Sequence, residues 1–128
     1  MKKIFIICTV RGADEDYKRK LEDYVQKLED EGNIVHLPHR DTNQENTGLG
    51  ICVQNMNAIK IADEVHIFYN PESTGTHFDM GVAFACSKKL VVVENVTYGP
   101  GKSYPRMIDE WEDVSSGWGF FDKMPEQY

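Results

Sequence analysis

Short apolar runs alternate with longer amphipathic ones along this chain. Residues 3–8, KIFIIC, are β-branched and aromatic with no polar alternation after Lys3, which predicts a strand buried on both faces. Over 13–31 the period changes. Leu21, Tyr24, Val25 and Leu28 fall at i, i+3, i+4 and i+7 with charges on the other face, which predicts a helix. Asp14, Glu15 and Asp16 suit its positive N-terminal end, and Gly32 stops it. IVHL at 34–37 predicts a second strand, and the polar stretch 38–50 a loop without repeats. A second helix is expected over 50–62, with Ile51, Met56, Ile59 and Ala62 inward. EVHIFY at 64–69 predicts a third strand, and Asn70 to Gly75 a turn. A helix from Phe78 to Ser87 and a strand at 89–94, KLVVVE, follow. After a loop from Asn95 to Pro105 come a short helix near 105–113 and WGFFD, 118–122, as a possible fifth strand.

Strands and helices alternating at this spacing imply βαβ units. The expected fold is α/β: a flavodoxin/Rossmann-like three-layer αβα sandwich with a mostly parallel sheet of about five strands, in a single domain over 1–128. Ligands in such sheets bind beyond the carboxyl ends of the strands. The loops there are 8–12, 38–50, 70–78 and 95–104.

Composition narrows the partners. A chain of 128 residues suits one domain with a sizeable core. Hydrophobic content of 41% and a mean hydropathy of −0.49 fit a soluble protein, and no run approaches the ~18 apolar residues of a membrane span. MKKIFIICTV superficially resembles a signal peptide, but its apolar run is short, and Arg11 and an acidic cluster follow directly. A net charge of −7 argues against a nucleic-acid polymer as partner and leaves room for a small nucleotide. Cys8, Cys52 and Cys86 are odd in number and widely spaced, as in reduced core thiols of a cytoplasmic protein. No spacing suggests a metal site, and no cofactor is expected.

Two loops carry candidate chemistry. In CTVRGADED a strand ends, Arg11-Gly12 turns and a helix begins. That is either an anion site, with Thr9 and Arg11 at hand, or a solvated arginine beside a cap. In NPESTGTHFDMG, Ser73, Thr74 and Thr76 supply hydroxyls and Gly75 permits close approach, which suits either an anion or sugar cradle or an ordinary N-cap. Asp79 follows in the first turn of the expected helix. Phe78, Met80, Val82, Ala83, Phe84 and Ala85 surround it, so the helix reads as buried on most sides and dipole compensation alone is a weak account of the acid.

Four stretches together resemble the nucleoside 2-deoxyribosyltransferase-like superfamily, and within it the 2′-deoxynucleoside 5′-phosphate N-hydrolases. They are CTVRGADEDYKRKLEDYVQKLEDEGNIV, NMNAIKIADEV, STGTHFDMGVAFACSKKLVVV and GKSYPRMI, the third being the most specific. The resemblance implies that Asp79 stands where the family has its catalytic glutamate, which attacks or electrostatically stabilises the anomeric carbon as the N-glycosidic bond breaks. That role is chemically intelligible, because an oxocarbenium-like sugar needs an anion about 3 Å away on the face opposite the leaving base. Arg11 and Gly12 match the phosphate loop, and Ser73 with Gly75 the binders of phosphate or sugar hydroxyl. Lys102 and Ser103 match a loop that reaches a neighbouring subunit. The resemblance thus implies a homodimer or higher homo-oligomer.

The chain also departs from the family. Asp79 is shorter than glutamate by one methylene, and a displacement of about 1 Å can cost ~100-fold in rate. A second family acid falls on Asn55, which can hydrogen-bond but cannot act as a general acid or base near neutral pH. Asp41 in PHRDTNQ is a candidate replacement carboxylate. Thr76 and His77 lie in the third loop, His77 being either a donor to a leaving base or phosphate or an ordinary loop histidine, and Tyr69 and Tyr98 are either faces for a base or, for Tyr69, amphipathic packing at a strand end. His36 and His66 read as core or edge histidines, and His39-Arg40-Asp41 as either a ligand grip or a salt-bridged loop. Two functions remain open. One is an enzyme cleaving or transferring the N-glycosidic bond of a nucleoside or its 5′-monophosphate. The other is a nucleotide-binding or sensing module that kept the pocket and lost turnover.

Overall fold

The computed structural model describes residues 1–116. Four parallel strands form one sheet: β1 (Lys3–Ile7), β2 (Ile34–His36), β3 (Glu64–Phe68) and β4 (Lys89–Glu94), in the order β2-β1-β3-β4. Five helices connect or follow them: α1 (Glu15–Asp30), α2 (Pro38–Asp41), α3 (Gly48–Ile61), α4 (Thr74–Ala85) and α5 (Tyr104–Ser115). The fold is the expected layered α/β sandwich, with four strands among the described residues. The possible fifth strand at 118–122 lies outside them.

The unbroken apolar runs are explained by cover on both faces of the sheet. Phe5, Ile7, Val65, Ile67 and Leu90 pack with Ile59 of α3, Met80 and Ala83 of α4, and Ile108 and Trp111 of α5. On the opposite face Ile4, Ile6, Cys8 and Phe68 pack with Leu21, Val25 and Leu28 of α1. Every position of β3 is buried, as a central parallel strand requires. No helix among the described residues is long and apolar enough to cross a membrane.

Three local readings change. The polar stretch 38–50 contains α2, and α3 starts at Gly48 because the Thr47 hydroxyl accepts the Gly50 N–H at 3.0 Å. Helix α4 starts at Thr74 rather than Phe78, because Ser73 Oγ accepts the Thr76 N–H at 3.2 Å. Asp79 therefore sits in the second turn, beyond the first-turn positions where dipole compensation is strongest. Nor is α4 buried on most sides, since Phe78 and Phe84 are 48% and 40% exposed.

The ends of α1 and α4 share one device. After α1, Gly32 at φ +94° donates to Glu29 O and Asn33 to Leu28 O. After α4, Ser87 donates to Phe84 O and Lys88 to Ala83 O, both at 3.0 Å. This is the Schellman arrangement, whose left-handed residue is usually glycine. Ser87 holds it at φ +59° with a Cβ present. Ser87→Gly should therefore stabilise the protein by about 1 kcal/mol, read as a higher denaturant midpoint with an unchanged slope. An unchanged or lower midpoint would contradict the assignment.

Candidate active site at the sheet switch point

The chain leaves β1 toward β2 on one side, while β3 and then β4 lie on the other. A crevice opens where connections diverge, beyond the carboxyl ends of β1 and β3. A cavity of about 730 Å³ occupies it. Thr9, Val10, Arg11 and Gly12 supply one wall, and Asn70, Glu72, Ser73, Thr74 and Gly75 another. Gly48, Ile51, Cys52 and Asn55 come from α3, Gln44 from the loop before it, and Cys8 and Asp79 complete the lining. Gly12 takes φ +78°, a turn that favours glycine. Asn70 Nδ2 donates to Thr9 Oγ1 at 2.9 Å and ties the two loops together.

Helical geometry places the acid. Side chains on a helix lean toward its N-terminus, so Asp79 points along the face that Gly75 occupies one turn earlier. Gly75 has no side chain to close that space, and a Cβ there would meet nothing within 4 Å. Asp79 is only 6% exposed yet lines the cavity. Burial pushes its carboxyl up to about 7, and a hydrogen bond from the Asn55 side chain partly opposes the rise. The Cys8 thiol is pushed up to about 12, by burial first and then by the Asp79 charge. It is protonated at neutral pH and is a poor nucleophile.

Thr9, Arg11, Gly12, Asn55, Ser73, Gly75 and Asp79 thus meet on one cavity, while five other expected residues do not line it. Thr76 is fully buried on the sheet-facing side of α4. Tyr69 is buried in the core, with its hydroxyl 2.9 Å from His77 Nε2. His77 Nδ1 lies 2.7 Å from Ser73 O. A carbonyl can only accept, so Nδ1 carries the proton and Tyr69 donates to Nε2 in the neutral ring. Two residues along a helix turn the side chain by roughly 200°, which directs His77 away from the face of Asp79. Neither Tyr69, expected as a base platform, nor His77, expected as a donor, lines this cavity. Lys102 and Ser103 line a separate cavity of about 500 Å³, where Ser103 caps α5 by accepting the Arg106 N–H at 3.3 Å.

Asp41 is no substitute acid. It accepts the Leu37 N–H at 2.8 Å and binds Arg40, which also pairs with Glu29. The His39-Arg40-Asp41 stretch is thus a salt-bridged turn. Tyr98 is likewise occupied, donating to Asp109 at 2.6 Å. Gln44, Asn70 and Glu72 were not singled out by sequence, although each lies in a loop marked as a carboxyl-end connection; Thr74, read as a cradle hydroxyl, does line the cavity. Cys52 was readable as core, and its place one turn before Asn55 was the available signal.

A cavity with a buried carboxylate at the switch point of a parallel sheet lies where α/β proteins commonly bind small ligands. Residues 6–106 match the family model for nucleoside 2-deoxyribosyltransferase, and the chain belongs to that family. It is similar to a CMP N-glycosidase from Clostridium botulinum, at 25% identity over 88% of this chain and 82% of that one, with a TM-score of 0.58. It also shares its fold with a 2-deoxyribosyltransferase from Bacillus psychrosaccharolyticus, at 19% identity over 90% and 91% of the two chains, with a TM-score of 0.64. No curated protein sequence matches it.

The charge on Asp79 opposes folding. Its folded value lies above the ordinary carboxylate value of 3.8, so the penalty is absent below pH 4, grows through the interval and is complete above about 7. Asp79→Asn should therefore stabilise the protein at pH 8 by on the order of 2–4 kcal/mol more than at pH 4. Urea midpoints at the two pH values check this, and an equal effect at both would contradict it.

Proposed function

We propose that this protein cleaves the N-glycosidic bond of a nucleoside 5′-monophosphate, with Asp79 as the nucleophile or electrostatic stabiliser at C1′. The observation that carries the reading is the buried carboxylate facing an open cavity across the empty face of Gly75. As the C1′–N bond breaks, its electron pair leaves with the base and positive character develops on the sugar. An ionised Asp79 below the ring is worth most at that moment, because the site is poorly solvated. Water then takes the base's place at C1′. The phosphate is assigned to Arg11 and the N-terminus of α4, where Ser73, Thr74 and Gly75 line the same cavity. The relative named as a CMP N-glycosidase supports a monophosphate substrate.

We further propose a homodimer. Lys102 and Ser103 do not meet Asp79 within one chain, and Phe78, Phe84 and Tyr104 are 48%, 40% and 58% exposed. A second copy seated over these aromatics accounts for both facts.

Incubation with a panel of ribo- and deoxyribonucleoside monophosphates, followed by chromatography, should show free base. Asp79→Ala should lower the rate at least 100-fold while the protein stays folded. Tight nucleotide binding with no base from any panel member would identify the binding module instead. For wild type, log(kcat/KM) should rise with pH and level off above about 7, since the carboxylate must be ionised. A profile flat from pH 5 to 9 would contradict that role.

A further inference from the structure

Asn55 raises a question of orientation. Its amide has one accepting end and one donating end, and only the donating end suits an ionised Asp79. The opposite end is fixed by a chain of contacts reaching back to β2. Thr42 Oγ1 donates to Asn55 Oδ1 at 2.7 Å, and His36 Nε2 lies 2.8 Å from Thr42 Oγ1. Since the Thr42 proton is committed to Asn55, His36 must donate through Nε2–H. Thr42 and Asn55 are 4% and 8% exposed, and the His36 ring stacks on Phe5 with centroids 5.2 Å apart and an interplanar angle of 14°. No step of the proposed reaction uses His36 or Thr42, and neither lines the cavity.

We propose that His36 and Thr42 are positioning residues that lock the Asn55 amide with its Nδ2 toward Asp79, so that a neutral donor, and not an acceptor, faces the acid. The role in turnover rests on the glycosidase reading; the lock itself does not. A free amide could flip and present its oxygen to the carboxylate, which would favour the protonated form. The hydroxyl of Thr42 prevents the flip at a distance from the substrate.

The groups facing this chain are few. Cys8, just after β1, lies near Asp79, while Arg11 and Glu72 stand on the walls of the same cavity. Asp41 and Arg40 of α2 act on His36 in opposite senses, and burial, the largest influence, lowers its value and keeps it neutral.

The test is a carboxyl ¹³C NMR titration of Asp79 in the full chain. Thr42→Val keeps the shape and removes the hydroxyl; it should raise the Asp79 midpoint by about one unit, whereas Thr42→Ser should leave it near wild type. A one-unit rise lowers the ionised fraction about tenfold at pH 6 and less than twofold at pH 9. Base release by Thr42→Val should fall in that pH-dependent way. A folded Thr42→Val with an unmoved midpoint overturns the proposal. Should that variant not fold, ¹⁵N shifts of wild-type His36 decide: the Nε2–H tautomer supports the lock and Nδ1–H overturns it. Absence of base release from wild type would sink the glycosidase reading while the titration and tautomer results still judge the lock.

Discussion

A carboxylate withheld from water at the sheet switch point is the constraint around which the rest of this structure is arranged. Burial of Asp79 is costly, and the cost persists because α4 leaves the side chain no exposed alternative. The N-cap at Ser73 sets where α4 begins, which fixes the rotation of every later residue. Met80 and Ala83 then lock that rotation by packing on the sheet. Asp79 is left on the side where α4 meets α3, next to Asn55. Changing the cap, the core face or the strand order would turn the acid elsewhere.

The character of that acid depends on what stands beside it. Two carboxylates in a poorly solvated crevice repel, and one is held protonated. Here the neighbour is an amide, which adds no charge and donates a hydrogen bond. The residues at 55 and 79 are therefore physically coupled. An amide at 55 supplies no general acid or base near neutral pH, and it adds no repulsion to a carboxyl that burial already pushes up to about 7.

The sheet was legible in the sequence because strands buried on both faces leave uninterrupted runs such as KIFIIC and KLVVVE, and those runs place the functional loops. The core of the cavity was legible for the same reason. The start of α4 was misplaced because STGT reads equally as turn and as cap, and only the Ser73 bond decides. His77 and Tyr69 were drawn in by their position near a functional loop. The helical period already opposed His77, being two residues from Asp79. Nothing along the chain revealed His36 and Thr42, since their partnership with Asn55 joins β2, α2 and α3 through contacts with no sequence period.

The short reach of Asp79 bears on the proposed chemistry through the same helix. An aspartate carboxylate stays within one bond of a Cβ anchored on α4, so in the proposed reaction the sugar must come to the helix rather than the carboxylate to the sugar. That approach is possible only if the preceding turn is bare on this face. Gly75 leaves it bare, while Gly12 and Thr9 keep the facing loop low. With an aspartate in this role, selectivity in the proposed reaction would rest on the depth of the crevice, and depth is set by backbone. Discrimination between ribose and deoxyribose would then lie in how closely the ring descends beside Gly75, where a 2′-hydroxyl either finds room near Asn55 and Asp79 or holds C1′ out of range.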